Sequence, residues 1–130
     1  MTPIASLDYR VPYADTDQMG VVYYANFFVY FERVRNEMLR AVGYTYKQME
    51  AEGLRLPVLE AVCFYRQPAR YDDLLTISGA FEPVSPTRLK VHCKVTCGDV
   101  LLAEGHTIHA CFSAERNRPV RLPALFTAGT

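Results

Sequence analysis

The sequence predicts an α+β domain in which an antiparallel sheet of about five strands wraps one long helix. Three observations carry this. An apolar stripe at helical spacing runs from about residue 24 to 42, strand-like segments fill the chain on either side of it, and half of the 130 residues are apolar. A chain of that length and composition forms one domain, residues 1–130, whose core needs no cross-links.

Residues 5–13 read as the first strand, followed by a polar stretch, residues 14–20, rich in groups that hold turns. The period then changes. Phe27, Phe31, Val34, Met38 and Val42 recur every three or four residues, widened by Tyr24, Phe28 and Leu39, which predicts a helix about 28 Å long. Its polar face offers Glu32 with Arg35 and Arg33 with Glu37; Arg40 suits the negative carboxyl end and Gly43 the cap. Thr45 with Gln48 matches a capping box, so a second, shorter helix runs from there to Gly53. Four strands follow at residues 56–66, 74–81, 87–96 and 100–112, broken by Pro68, Pro83, Pro86 and Gly98-Asp99. In the third of these, Leu89, Val91, Cys93, Val95 and Cys97 alternate with Arg88, Lys90, His92, Lys94 and Thr96, one buried face against one wet face. Residues 119–130 lose the pattern and read as a loose tail.

Fourteen basic residues balance fourteen acidic ones, so no global field draws this chain to nucleic acid or an anionic membrane. The first ten residues hold no basic leader with an apolar run behind it, and the longest apolar stretch, 21–31, is interrupted by Asn26 and stopped by Glu32. Neither an export signal nor a membrane span is predicted, and the expected location is the cytoplasm. Cys63, Cys93, Cys97 and Cys111 form no C-x-x-C pair and read as small core residues. His92, His106 and His109 lack zinc-ligand spacing and read as surface or strand decoration, so no metal or other cofactor is predicted.

The dense polar cluster is Tyr13-Ala14-Asp15-Thr16-Asp17-Gln18-Met19-Gly20, between the first strand and the long helix. The first N–H groups of a helix have no intrahelical partner and carry positive partial charge, so a carbonyl oxygen gaining charge there is stabilised. Gly20 lets backbone approach a ligand, and a carboxylate just upstream can activate water or attack the carbonyl carbon. Together these describe an acyl-transfer site without Ser, His or Cys. The plain alternative is that the same residues only form a turn and a cap.

The stretch from Tyr13 through Asp15-Thr16-Asp17-Gln18-Met19-Gly20-Val21-Val22-Tyr23-Tyr24-Ala25-Asn26-Phe27 to Arg35, supported by Arg70-Tyr71-Asp72-Asp73-Leu74-Leu75-Thr76-Ile77, resembles the 4-hydroxybenzoyl-CoA thioesterase family, particularly its YbgC-like acyl-CoA thioesterases. The resemblance covers roughly residues 7 to 115. It implies a hotdog fold, a homodimer or homotetramer with sites between subunits, and hydrolysis of an acyl-CoA or acyl carrier protein thioester. It also implies that Asp17 is the catalytic carboxylate and that the backbone N–H of Tyr24 polarises the thioester carbonyl. Around them Tyr13, Gly20, Val21, Val22 and Asn26 are the expected substrate-binding positions, with Asp15, Thr16 and Asn26 also orienting the loop. Many YbgC-like members carry a histidine where this chain has Tyr24, which leaves Asp17 to act with less help, as base or as nucleophile. The competing expectation is a hotdog module that binds acyl thioesters without turnover. No basic residue stands out by spacing as the holder of the coenzyme A phosphates.

Overall fold

The structure, a computed structural model, describes residues 2–127. Five strands, β1 (Ala5–Arg10), β3 (Val58–Tyr65), β4 (Leu74–Ser85), β5 (Arg88–Cys97) and β6 (Val100–Ala110), form an antiparallel sheet in the order β1-β4-β5-β6-β3. The helix α1 (Asn26–Ala41) lies across one face of it. The predicted α+β architecture, one long helix against five antiparallel strands, is the one observed.

The core is where the two layers meet. Phe27, Phe31, Val34 and Met38 of α1 are buried against Leu75 and Ile77 of β4 and Leu89, Val91 and Val95 of β5. Gly79 lets this approach happen, since a Cβ there would stand 2.5 Å from the Met38 sulfur. Two stripe positions differ from expectation: Val42 ends the helix exposed, and Tyr24 precedes it at 61 % exposure. Conversely Tyr30, which is not part of the predicted stripe, is fully buried. The capping box of α2 (Tyr46–Ala51) forms as read, with the Thr45 hydroxyl accepting from the Gln48 amide and the Gln48 side chain accepting from the Thr45 amide at 2.7 Å.

β4 runs on through Pro83 to Ser85. Proline is tolerated there because β1 pairs only with residues 74–79, so the outer edge of β4 beyond Gly79 needs no donor, and a bulge follows between Pro83 and Ser85. The β5–β6 hairpin turns on Gly98 at φ +58° followed by Asp99, the glycine-first pattern of a II′ turn. A second small sheet, absent from the sequence reading, joins β2 (Leu54–Arg55), β7 (Phe112–Ser113) and β8 (Arg118–Pro119). The expected loose tail is packed over residues 119–127, because Leu122 and Phe126 are buried and the Phe126 ring meets Phe81 edge-on at 5.2 Å; residues 128–130 lie outside the described part.

All four cysteines are free, with Cys93 and Cys111 in the core and Cys63 and Cys97 half-buried. His92 and His106 lie half-buried on the outer sheet face beside Glu82 and Glu60. His109 is a correction: it is fully buried, bonded to the Leu56 carbonyl at 2.9 Å and the Thr107 hydroxyl at 2.8 Å, and burial pushes its pKa down. Among the described residues no cluster of three or more His, Cys, Asp or Glu is placed to hold a metal, and no helix is long and apolar enough to cross a membrane.

Candidate active site

The polar cluster folds into a short helical turn, Tyr13–Asp15, and a hairpin that returns the chain to the start of α1. The Asp17 amide donates to the Val21 carbonyl at 2.9 Å and the Gly20 amide to the Asp17 carbonyl at 3.0 Å, enclosing the three-residue loop Gln18-Met19-Gly20. Gly20 sits at φ +80° with open space where a Cβ would be, so glycine is required by the left-handed conformation and not by a close approach. Thr16 bridges to Val22 and Val21 bridges to Arg70, which ties the hairpin to the segment entering β4.

Asp15 is the anchor of this arrangement. One of its carboxylate oxygens accepts from the Tyr9 hydroxyl at 2.6 Å and the Tyr30 hydroxyl at 2.8 Å, fastening the loop to β1 and to α1. Its carbonyl accepts from the Tyr23 amide and from Nδ2 of Asn26, each at 2.9 Å. Burial, then the hydrogen bond to Asp15, raises the Tyr9 pKa to about 12, and the same two causes raise that of Tyr30, so both phenols stay protonated donors. Thr16 donates to the Tyr13 carbonyl at 2.7 Å. These are the loop-orienting contacts expected of Asp15, Thr16 and Asn26.

Asp17 is half-buried at the base of the hairpin. Its Oδ1 accepts the Met19 amide at 2.8 Å, a turn-forming contact, while Oδ2 has no partner among the described residues. At the helix start, Asn26 donates to the Tyr23 carbonyl and Phe27 to the Tyr24 carbonyl, but the Tyr24 and Ala25 amides reach no acceptor among the described residues. The segment therefore carries a carboxylate oxygen and helix-start amides that no group among the described residues satisfies.

A model of the thioesterase-like superfamily matches residues 11–129. The chain belongs to that superfamily. Its relatives include the acyl-CoA thioester hydrolase YbgC of Escherichia coli O6:H1, 33 % identical over 92 % of this chain and 90 % of that one. A crystal structure from Thermus thermophilus is 35 % identical, covers 95 % of both chains and superposes with a TM-score of 0.87. A 1,4-dihydroxy-2-naphthoyl-CoA thioesterase from Synechocystis, 23 % identical over 94 % of this chain and 91 % of that one, shares the fold with a TM-score of 0.86. The hotdog architecture implied by the sequence is thus the architecture of this superfamily chain.

The remaining expected positions separate. Tyr13 is 78 % exposed, its ring meeting Tyr71 at 5.9 Å. Val21 is half-buried beside Arg70. Val22 is buried in the core with its amide on the Ala69 carbonyl at 2.7 Å, so it seats the loop and does not line an open surface. Tyr65 has no role in the sequence reading, and Arg70 enters it only within the supporting segment 70–77. Tyr65, at the end of β3, donates to the Tyr24 carbonyl at 2.8 Å and packs edge-on against Phe27 at 5.3 Å, holding the peptide before the helix. Arg70 is the basic residue whose backbone pairs with this loop. Nothing near either in the sequence signals this, because sheet pairing brings them in from more than forty residues away.

Proposed function

We propose that this chain hydrolyses acyl-CoA thioesters with Asp17 as the catalytic carboxylate and the helix-start amides of Tyr24 and Ala25 as the oxyanion site. The observation that carries the reading is the pairing of a free Asp17 oxygen with unsatisfied amides across one hairpin pinned by Asp15, in a chain of the thioesterase-like superfamily. Asp17 either removes a proton from water as that water attacks the thioester carbon, or attacks the carbon itself to give a mixed anhydride that water then cleaves. In both routes the carbonyl oxygen gains negative charge in front of the amides, the C–S bond breaks, and the thiolate leaves and is protonated. The acid product and coenzyme A account for every atom.

The site lies open in a single chain, with Tyr13 and Tyr24 largely exposed, and β3 is a free sheet edge carrying exposed Val58, Leu59, Phe64 and Tyr65. A homodimer through that edge covers the apolar strand and supplies a second wall near the site. The neutral charge and the small polar loop suit a cytoplasmic enzyme acting on acyl-CoA or carrier-protein thioesters.

The test is thiol release from short, long and aromatic acyl-CoA thioesters by the wild type and Asp17→Asn at equal folded concentration. Activity in the wild type that falls at least a thousandfold in the variant supports the reading. Equal activity in both removes Asp17 from the mechanism, and no release by the wild type from CoA or carrier-protein thioesters points instead to a binding module.

A further inference from the structure

Between α1 and the β3 edge of the sheet lies a cavity of about 380 Å³, walled by Phe28, Glu32 and Arg35 of the helix and by Leu56, Ala61 and Thr107 opposite. Arg35 is the unusual member. Its side chain is only 12 % exposed, and its Nε is shielded from solvent with no hydrogen-bond acceptor. The nearest carboxylate, Glu32, stands 3.8 Å from one terminal nitrogen, beyond hydrogen-bond length, and is itself 61 % exposed; the Tyr46 ring lies 6.0 Å away. On the sheet side, burial and then the Arg35 charge lower the His109 pKa, and Cys93 also feels that charge. A guanidinium N–H shielded from water without an acceptor is costly, and the planar donors of Arg35 match a carboxylate.

The cavity is in phase with the active site. Phe28, Glu32 and Arg35 follow one another by four and three residues, so they share a helix face, and Tyr24 lies just ahead of that helix. The N-cap Ala25 and Arg35 are separated by about 15 Å along the axis, and a helical side chain leans back towards the N-terminus, leaving a span of about 10 Å. That is the reach of a medium-length acyl chain.

We propose that this cavity receives the distal end of the acyl group and that Arg35 selects acyl chains ending in a carboxylate. The inference rests on the thioesterase reading above. It is tested with adipoyl-, suberoyl- and sebacoyl-CoA against hexanoyl-, octanoyl- and decanoyl-CoA, using the wild type, Arg35→Met and Glu32→Gln, each checked for folding by circular dichroism and for mass by sedimentation. The wild type should favour at least one dicarboxylic thioester over its neutral counterpart by tenfold or more in kcat/KM. Arg35→Met should abolish that ratio, chiefly through KM, while still hydrolysing the neutral series. Glu32→Gln, an exposed change that removes the competing carboxylate, should raise the ratio. A wild-type ratio near one that Arg35→Met leaves unchanged overturns the inference and leaves the thioesterase reading standing. So does a fall in sedimenting mass in Arg35→Met, which would put the missing acceptor on a second copy. If the wild type hydrolyses none of the six but does hydrolyse aromatic or carrier-protein thioesters, the inference is overturned and the thioesterase reading stands; if it releases thiol from none of these, both fail.

Discussion

At the scale of single residues, the candidate site is held together by one carboxylate, Asp15. Asp15 takes two phenolic hydrogen bonds and lends its carbonyl to two more donors, so Asp17 and the Tyr24 amide are positioned through it. Tyr30→Phe removes one hydrogen bond to a charged acceptor in a part-buried setting. It should cost about 1.5–3 kcal/mol in urea unfolding and lower kcat more than it raises KM, because the loop shifts while the acyl cavity stays. An unchanged unfolding midpoint would show that Asp15 is held adequately by Tyr9 alone. His109 supplies the pH dependence. Its folded pKa is depressed below the ordinary histidine value of 6.5, so at lower pH the unfolded chain takes up a proton that the folded chain refuses. The stability this contributes is present above pH 6.5 and is lost as pH falls towards the depressed folded value. Urea midpoints should therefore fall between pH 7.5 and 5.5 in the wild type, with a shallower slope in His109→Gln.

At the scale of elements, two glycines separate conformation from contact. Gly20 has a positive φ and an empty neighbourhood, so Gly20→Ala should cost only the left-handed penalty, about 1 kcal/mol. A Cβ on Gly105 of β6 would fall on the Val62 carbonyl of β3, so Gly105→Ala must displace a strand and should cost about 1–3 kcal/mol. Thermal unfolding of both variants checks the order, and a reversal would mean that the hairpin, not the strand pairing, is the rigid element. How much of these elements was legible follows from their length. β5 repeats its alternation over ten residues and α1 its stripe over sixteen, which is enough period to read. β2, β7 and β8 have two residues each and carry no period at all. The burial of Tyr30 is not part of the sequence reading, because a phenol is buried there with a carboxylate partner that lies fifteen residues away. The candidate site was legible as far as residues 13–26 are contiguous; Tyr65, Arg70 and the cavity at Arg35 depend on packing between elements, which no local spacing encodes.

At the scale of the whole molecule, the unresolved physical problem is the β3 edge. The sheet order leaves it unpaired on one side, with Val58, Leu59, Phe64 and Tyr65 about half exposed along it. A long apolar edge of this kind invites pairing with another strand, and no proline or cation lies within residues 58–65 to prevent it. The strand also ends at Tyr65, which holds the peptide at the helix start, so whatever covers the edge bears on the active site. Pairing two copies edge to edge would make a continuous ten-stranded sheet and bring both sites to the seam. The wild type should therefore sediment at twice the 14.8 kDa chain mass or a multiple of that, at micromolar concentration. Leu59→Lys combined with Phe64→Lys places two cations on half-exposed edge positions. It should sediment as a single folded chain, and its specific activity should lie at least tenfold below that of the wild type at the same micromolar concentration. A wild type that is monomeric and fully active would show that the edge is tolerated uncovered and that one chain builds the whole site.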